Sequence, residues 1–125
     1  MRTELVFILG ASDKIDRYSY QARKMLHDYN HQTILVSPRI KSVEGELVYP
    51  DLESAVASNG RPETLTIYVG ASVSSGMQES ILAAHPKRVI FNPGSENPGL
   101  ATALKDSGAE VIEGCTLVML RTGQF

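Results

Sequence analysis

The apolar and polar positions of this chain alternate in blocks that predict strands and helices in regular succession. An apolar run at residues 5–9 predicts a buried strand, and Gly10-Ala11-Ser12 predicts the turn that ends it. After Ser19, the predicted N-cap, apolar residues recur with the helical period as far as Asn30. The predicted inner face of this helix holds Ala22, Met25, Leu26 and Tyr29, and its predicted outer face holds Gln21, Arg23, Lys24 and Asp28.

The same succession continues to the end of the chain. Short apolar runs predict strands at residues 33–36, 46–49, 64–69 and 89–91, and a last strand that begins at Val111. Three further helices are predicted. The first opens at Pro50-Asp51, and the last is capped by Asn97 and ends before Gly108. The helix between them has the capping-box spacing of Ser75 and Gln78 and the apolar stripe Val73, Met77, Ile81 and Ala84. The apolar tail at 117–120 favours a cover for the sheet edge or the core over a contact between subunits.

Strands that alternate with helices over short connections predict one α/β domain spanning residues 1–125. We expect a three-layer Rossmann-like fold with a doubly wound, mainly parallel sheet. Three predicted strands end at Gly10-Ala11-Ser12, Gly70-Ala71-Ser72 and Asn92-Pro93-Gly94. Because parallel strands point the same way, these turns should share one rim, where ligands of such sheets bind.

Composition narrows the partners of this domain. The net charge of -2 and the 21% charged residues lack the basic excess typical of nucleic-acid-binding domains. The N-terminal apolar run, flanked by Arg2 and Glu4, is too short for a signal peptide, and no run reaches the ~18 apolar residues of a membrane span. A cytoplasmic protein without a membrane partner is therefore expected. Cys115 is the only cysteine, which excludes an internal disulfide and agrees with a reducing compartment.

The turn after the first strand favours a phosphate-bearing ligand, because a helix N-terminus offers unpaired N–H groups and the positive end of its dipole. The G-x-G-x-x-G fingerprint of dinucleotide sites is absent after Gly10, and Ser37-Pro38-Arg39 stands where an NAD site carries an acidic residue. Arg39 suits a phosphate instead. Basic side chains occur in two loops of the predicted rim, with solvated surface charges as the alternative interpretation: Lys14, Arg17, Arg39 and Lys41.

Several of these segments occur together, in order, in one known family. The matching segments are Gly10-Ala11-Ser12, Arg17-Tyr18-Ser19-Tyr20, Val36-Ser37-Pro38, the Gly45 turn before Tyr49-Pro50, Val69 and Asn92-Pro93-Gly94. Over nearly its whole length the chain resembles the small stand-alone coenzyme A-binding domain proteins, which are similar to the N-terminal domain of the succinyl-CoA synthetase alpha subunit. The resemblance implies a Rossmann-like domain that binds coenzyme A or an acyl-CoA.

The resemblance also implies roles for individual residues. The first loop would hold phosphates through Gly10, Ala11, Ser12, Arg17, Tyr18 and Ser19. The end of the second strand would contact the 3′-phosphoadenosine through Ser37, Pro38, Arg39 and Lys41. The ribose or adenine would lie beside Val69, Gly70 and Ala71, and the pantetheine arm beside Asn92, Pro93 and Gly94. The first loop of the synthetase has additional glycines where this chain has only Gly10, a difference that bears on how closely the diphosphate approaches. Ligase activity is not implied, since the phosphohistidine segment of the synthetase has no counterpart here.

A small non-catalytic binding module is the function that these residues favour, because the sequence pairs no nucleophile with a base and offers no paired carboxylates at the predicted rim. The alternative is an NADP-binding small enzyme or enzyme subunit, which the basic Arg39 would suit. A third hypothesis is a scaffold that has kept the fold and lost the ligand, with the apolar tail as its interface.

Three kinds of side chain have two interpretations each. Cys115 could form a mixed disulfide with a ligand thiol, but a buried or inert thiol is favoured. His27 and His31 are four residues apart without a further ligand, so no metal site is predicted. Tyr18 and Tyr20 flank the predicted cap, where a tyrosine either contacts the ligand or packs against the sheet.

Overall fold

The computed structural model describes residues 3–125. Met1 and Arg2, the basic residue that precedes the N-terminal apolar run, lie outside the described residues. The strands of the described part are Leu5–Leu9 (β1), Gln32–Val36 (β2), Ser42–Val43 (β3), Glu46–Tyr49 (β4), Thr64–Ile67 (β5), Arg88–Phe91 (β6) and Glu110–Glu113 (β7). They form one sheet in the order β3-β4-β2-β1-β5-β6-β7. Every neighbouring pair is parallel except the β3–β4 hairpin.

Helices cover both faces of this sheet. They are Tyr18–Asp28 (α1), Leu52–Asn59 (α2), Ala71–Gly76 (α3), Gln78–Ala83 (α4), Pro98–Asp106 (α5) and Thr116–Arg121 (α6). The predicted three-layer, Rossmann-like α/β fold with a mainly parallel sheet is confirmed. Among residues 3–125, no helix is long and apolar enough to cross a bilayer.

Strand β1 is buried on both faces and separates two hydrophobic cores. Its Phe7 and Leu9 belong to one core, and Val6 and Ile8 belong to the other, as the alternation of side chains along a strand requires. The first core is closed by α2, α4 and α5, which contribute Leu52, Ala55, Ile81, Leu100, Ala101 and Leu104. The second core is closed by α1 and α6, which contribute Tyr20, Leu26 and Leu120.

The carboxyl ends of the central strands are level. Leu9 of β1 pairs with Val36 of β2 and with Ile67 of β5, and Ile67 pairs with Phe91 of β6. From β1 the chain moves outward to β2 and β4 and then crosses to β5 on the other side of β1. The three predicted turns therefore lie on one rim, beside the point where the winding direction of the sheet reverses.

Helix α1 has Arg17, and not Ser19, at its N-cap. Arg17 has an extended backbone (φ -80°, ψ 141°), and no side chain caps the helix. Ser19 and Tyr20 are buried in the first turn. The Ser19 prediction was wrong because packing of this turn against the sheet, rather than the capping preference of serine, sets the start of the helix.

Arg23, predicted on the solvent face of α1, is only 7% exposed. Its Nε lies 2.8 Å from Glu46 Oε1, and its Nη1 lies 3.1 Å from Glu44 Oε1. Glu46 opens β4 and Glu44 lies in the turn between β3 and β4, a hairpin of which only the second strand was predicted. The prediction was wrong because two carboxylates far along the chain compensate the burial of this charge.

The segment after β5 folds as two short helices instead of one. Ser75 lies inside α3, and Gln78 opens α4 after a break at Met77, so the predicted capping box does not form. Val73 is 52% exposed and is not part of the predicted stripe. Asn97 caps α5 as predicted, by accepting a hydrogen bond of 3.2 Å from the N–H of Leu100.

The apolar tail lies in α6, a helix that the sequence analysis did not predict. Leu117, Met119 and Leu120 are buried, and Leu120 joins the core that α1 covers. Helix α6 packs beside α1. The tail therefore covers a face of the sheet and not its edge.

A polar cluster closes the amino end of the sheet. The Glu4 carboxylate accepts hydrogen bonds from Thr64 Oγ1 at 2.6 Å and from Arg88 Nη2 at 3.3 Å, and the Glu4 N–H donates to His31 Nδ1 at 3.0 Å. His31 is 4% exposed, and its ring centroid lies 5.0 Å from that of Phe125. Burial lowers the pKa of His31, so the folded protein holds this imidazole neutral.

We expect the free energy of unfolding to decrease as the pH falls from about 8 to about 5.5, because the unfolded chain binds a proton at His31 that the folded protein does not. The decrease should begin near the ordinary histidine pKa of about 6.5, with a slope of at most about 1.4 kcal/mol per pH unit. Urea denaturation across this range measures it. His31→Asn keeps an acceptor for the Glu4 N–H and should be less stable at the upper pH but lack this slope. Parallel pH profiles of the two proteins would contradict the prediction.

Candidate functional site

Two adjoining clefts lie at the rim formed by the carboxyl ends of the central strands. The first, about 470 Å³ in volume, is called the basic cleft below. Its lining comes mainly from the loop after β1, the start of α1 and the loop after β2: Gly10, Ala11, Ser12, Asp13, Lys14, Arg17, Tyr18, Ser19, Ser37, Arg39, Ile40, Tyr68 and Pro93. The structure thus brings the predicted residues of the first loop next to Ser37 and Arg39.

Gly10 sets the path of the first loop. It has a φ of +93°, a left-handed conformation that favours glycine, and a Cβ added there would lie 3.0 Å from Val69 Cγ1. The N–H groups of Gly10 and Ala11 both donate to the carbonyl oxygen of Val36, at 3.0 and 3.2 Å. These two amides therefore join β1 to β2, and the phosphate-binding role expected of the loop stays a prediction.

Other backbone donors remain in the lining of the basic cleft. Within residues 3–125, the amides of Ser12 and Asp13 have no hydrogen-bond partner, and Ser12 Oγ accepts from the Lys14 N–H at 3.1 Å. Helix α1 begins without a side-chain cap, so the N–H groups of its first turn are also unpaired by any side chain. Unpaired amides at the start of a helix favour a bound anion.

Positive side chains outnumber negative ones around this cleft. Lys14, Arg17 and Arg39 supply three positive charges against the one negative charge of Asp13. All four side chains are exposed, and in the described part of the chain none of them forms an ion pair. The resulting positive potential attracts anionic ligands.

Tyr68, which follows β5, lines both clefts and was not predicted as a site residue. Its hydroxyl is buried beside those of Thr116 and Thr66 but forms no well-aligned hydrogen bond within residues 3–125. Burial, partly offset by these two hydroxyls, raises the pKa of Tyr68 to about 12, so the phenol stays protonated. The sequence signal that could have identified Tyr68 was an aromatic residue directly before Val69, where the strand was predicted to end.

The second cleft, about 330 Å³ in volume, is called the apolar cleft below. It lies between α1 and α6 and shares Tyr18, Tyr68 and Pro93 with the basic cleft. Its complete lining is Tyr18, Gln21, Tyr68, Asn92, Pro93, Cys115, Leu117, Val118 and Arg121. The residues from α6 were missed because the helix itself was not predicted.

Asn92 connects the sheet to the start of α6. Its Nδ2 donates to Thr66 Oγ1 at 2.7 Å and to the Ile67 carbonyl at 2.9 Å, and its Oδ1 accepts from the Thr116 N–H at 2.9 Å. Asn92 was expected to face a pantetheine arm. It does line the apolar cleft, but its amide is used inside the protein, where it holds Cys115 and the rest of the α6 N-terminus in place.

Six predicted residues line neither cleft. Val69 packs beside Gly10, Gly70 is the N-cap of α3, and Ala71 opens that helix, which packs with α4 and α5. This part of the rim therefore lies outside both clefts, and the expected contact of Val69, Gly70 and Ala71 with a ribose or adenine stays a prediction. The other three are Pro38, Lys41 and Gly94.

The two tyrosines at the start of α1 occupy different places. Tyr20 is buried in the second core, and its hydroxyl donates to Glu44 of the hairpin turn. Tyr18 is 66% exposed and lines both clefts. Of the two, Tyr18 is the one placed to contact a ligand.

The two histidines considered for a metal do not converge. His27 Nε2 lies 2.7 Å from Thr33 Oγ1 and 3.4 Å from Glu46 Oε1, whereas His31 lies in the cluster at the amino end of the sheet. Across residues 3–125, no group of three or more His, Cys, Asp or Glu side chains is arranged to hold a metal ion.

Comparisons with known proteins agree with this architecture. Residues 4–121 match the family model of the CoA binding domain. The crystal structure of an uncharacterized protein is 35% identical, with a TM-score of 0.86 and all of both chains covered. A hypothetical protein from Pyrococcus horikoshii OT3 is 19% identical, with a TM-score of 0.86 over 97% of this chain and 84% of that chain. A Thermus thermophilus protein is 21% identical, with a TM-score of 0.83 over 98% of this chain and 91% of that chain. At their lower identity, the last two similarities show the fold alone.

Gly10→Ala should lower the free energy of unfolding by about 2–3 kcal/mol, because it adds left-handed backbone strain and a Cβ pressed against Val69. Gly108→Ala is the control, since Gly108 has a φ of +96° but nothing within 4 Å of the added Cβ. Urea denaturation of both variants measures the difference. Equal losses of stability would show that the approach to Val69 contributes nothing.

Proposed function

Because the chain belongs to the CoA binding domain family, whose model matches residues 4–121, we propose that it binds coenzyme A or an acyl-CoA as a small non-catalytic module. The observation that carries the proposal is the basic cleft, where three positive side chains without ion-pair partners in the described chain surround unpaired amides. Coenzyme A concentrates its negative charge on the phosphates at one end, and this cleft supplies the matching charge.

The lining suggests how such a ligand lies. We place the diphosphate against Ser12, Lys14, Arg17 and the first turn of α1. The backbone amides there do not donate to the Val36 carbonyl and are available as hydrogen-bond donors. The 3′-phosphoadenosine would contact the end of β2 through Arg39. The pantetheine arm would then leave across Pro93, which lines both clefts.

We propose binding without chemistry because, among residues 3–125, neither cleft pairs a nucleophile with a base that would activate it. Cys115 is the thiol of the apolar cleft, and no histidine of the described chain lines either cleft. Tyr68, whose pKa is raised to about 12, is held protonated and does not serve as a base near neutral pH.

Isothermal titration calorimetry with coenzyme A, acetyl-CoA, NADP and NAD tests this function. Both coenzyme A compounds should bind more tightly than either dinucleotide. Arg39→Ala should weaken coenzyme A binding about tenfold or more, since a hydrogen bond to a charged group contributes roughly 1.5–3 kcal/mol. Lys87→Ala is the control, because it removes the same charge from an exposed side chain next to the amino end of β6.

Two outcomes would contradict the proposal. The absence of heat with coenzyme A and acetyl-CoA at millimolar ligand would exclude it. If NADP binds more tightly than coenzyme A and Arg39→Ala weakens NADP binding, the NADP-binding alternative is supported instead.

A further inference from the structure

We propose that the apolar cleft is the subsite for the acyl group of an acyl-CoA, and that its occupant is a short, uncharged aliphatic chain. The inference rests on the proposed function, because coenzyme A held in the basic cleft would deliver its thioester to this place. It goes further by naming the class of acyl group that the protein distinguishes.

The exposed surface of the apolar cleft is mostly hydrocarbon, and Gln21 and Arg121 are polar side chains at it. Leu117 and Val118 form the α6 side, and Pro93 belongs to the loop after β6. Asn92, the polar side chain nearest the sheet, is 2% exposed and uses its amide oxygen and nitrogen within the protein. An acyl chain gains free energy in such a lining from removal of apolar surface from water.

The two clefts together match the polarity of an acyl-CoA. They share Tyr18, Tyr68 and Pro93, and one carries three positive charges while the other is mainly apolar and carries one, that of Arg121. An acyl-CoA has the same order, with phosphates at one end and a thioester-linked hydrocarbon at the other. The volume of about 330 Å³ is roughly ten times the share of one water molecule in the liquid, which suits a short chain and the end of the pantetheine arm.

The mouth of the apolar cleft exposes apolar surface that a bound chain would cover. Tyr18 on α1 is 66% exposed and Val118 on α6 is 51% exposed. The α6 wall is held rigidly, because Asn92 ties its first turn to β5 and β6. Arg121 also lines the cleft but is exposed in the last turn of α6, where water solvates its charge, so we assign the uncharged chain to the part lined by Pro93, Leu117 and Val118.

Titration calorimetry with coenzyme A, acetyl-CoA, butyryl-CoA and succinyl-CoA tests the subsite. Each added methylene should tighten binding about three- to fourfold, so butyryl-CoA should bind about tenfold more tightly than acetyl-CoA. Succinyl-CoA, which ends in a carboxylate, should bind more weakly than butyryl-CoA.

Val118→Gln should remove most of the preference for butyryl-CoA over acetyl-CoA, and it should weaken butyryl-CoA binding more than the binding of free coenzyme A. Val73→Gln is the matched control, since Val73 is 52% exposed, lies in another short helix and lines neither cleft. Val73→Gln should keep the wild-type preference.

Cys115 gives a second measurement, because it lines the apolar cleft and is the only thiol of the chain. Butyryl-CoA should slow the labelling of Cys115 by an aromatic disulfide reagent. Adenosine 3′,5′-bisphosphate, which lacks the pantetheine arm and the acyl group, should leave the labelling rate unchanged.

The outcomes separate the two proposals. If none of the coenzyme A compounds binds, the proposed function fails, and the subsite fails with it. Equal affinities for all of them, no effect of Val118→Gln and no protection of Cys115 would overturn the subsite alone. Tightest binding of succinyl-CoA would overturn the assignment to an uncharged chain.

Discussion

Burial of strand β1 on both faces is the constraint on which the rest of the structure depends. Phe7 and Leu9 belong to one core, and Val6 and Ile8 belong to the other. Parallel strands buried on both sides need crossover connections that cover both faces and return each strand to the same direction. The carboxyl ends of β2, β1, β5 and β6 consequently meet at one rim, and both clefts open there.

Different parts of the chain build the two clefts, and hydrogen bonds at strand ends hold each part in place. The amides of Gly10 and Ala11 bind the first loop to the Val36 carbonyl. Within the described chain, the amides of Ser12, Asp13 and the first turn of α1 are left as free donors. On the other side, Asn92 ties α6 to the sheet through Thr116. In both places these amide groups are satisfied inside the protein, which fixes the adjoining walls of the clefts.

Much of the fold was predictable because its signals are local. The apolar run of β1 and the helix from Asn97 to Asp106, with its cap, its Pro98 and its following Gly108, depend on residues close together in the chain. The predictions for Ser19 and Arg23 were wrong for the opposite reason. Ser19 is buried by packing of the first turn of α1, and Arg23 is buried because Glu44 and Glu46 of a distant hairpin compensate its charge. Neither the packing of that turn nor the distant carboxylates can be recognised from a local sequence pattern.

The candidate site, like the fold, was predictable from the sequence only in part. By itself the sequence determined the alternation of strands and helices, the rim that their parallel arrangement creates and the basic loops after β1 and β2, because periodicity and turn chemistry are local properties. Only the tertiary structure decided which side chains meet at that rim. It added Tyr68 and the α6 residues Leu117 and Val118, and it paired the amides of Gly10 and Ala11 with the Val36 carbonyl, because burial and hydrogen bonding are set by neighbours in space.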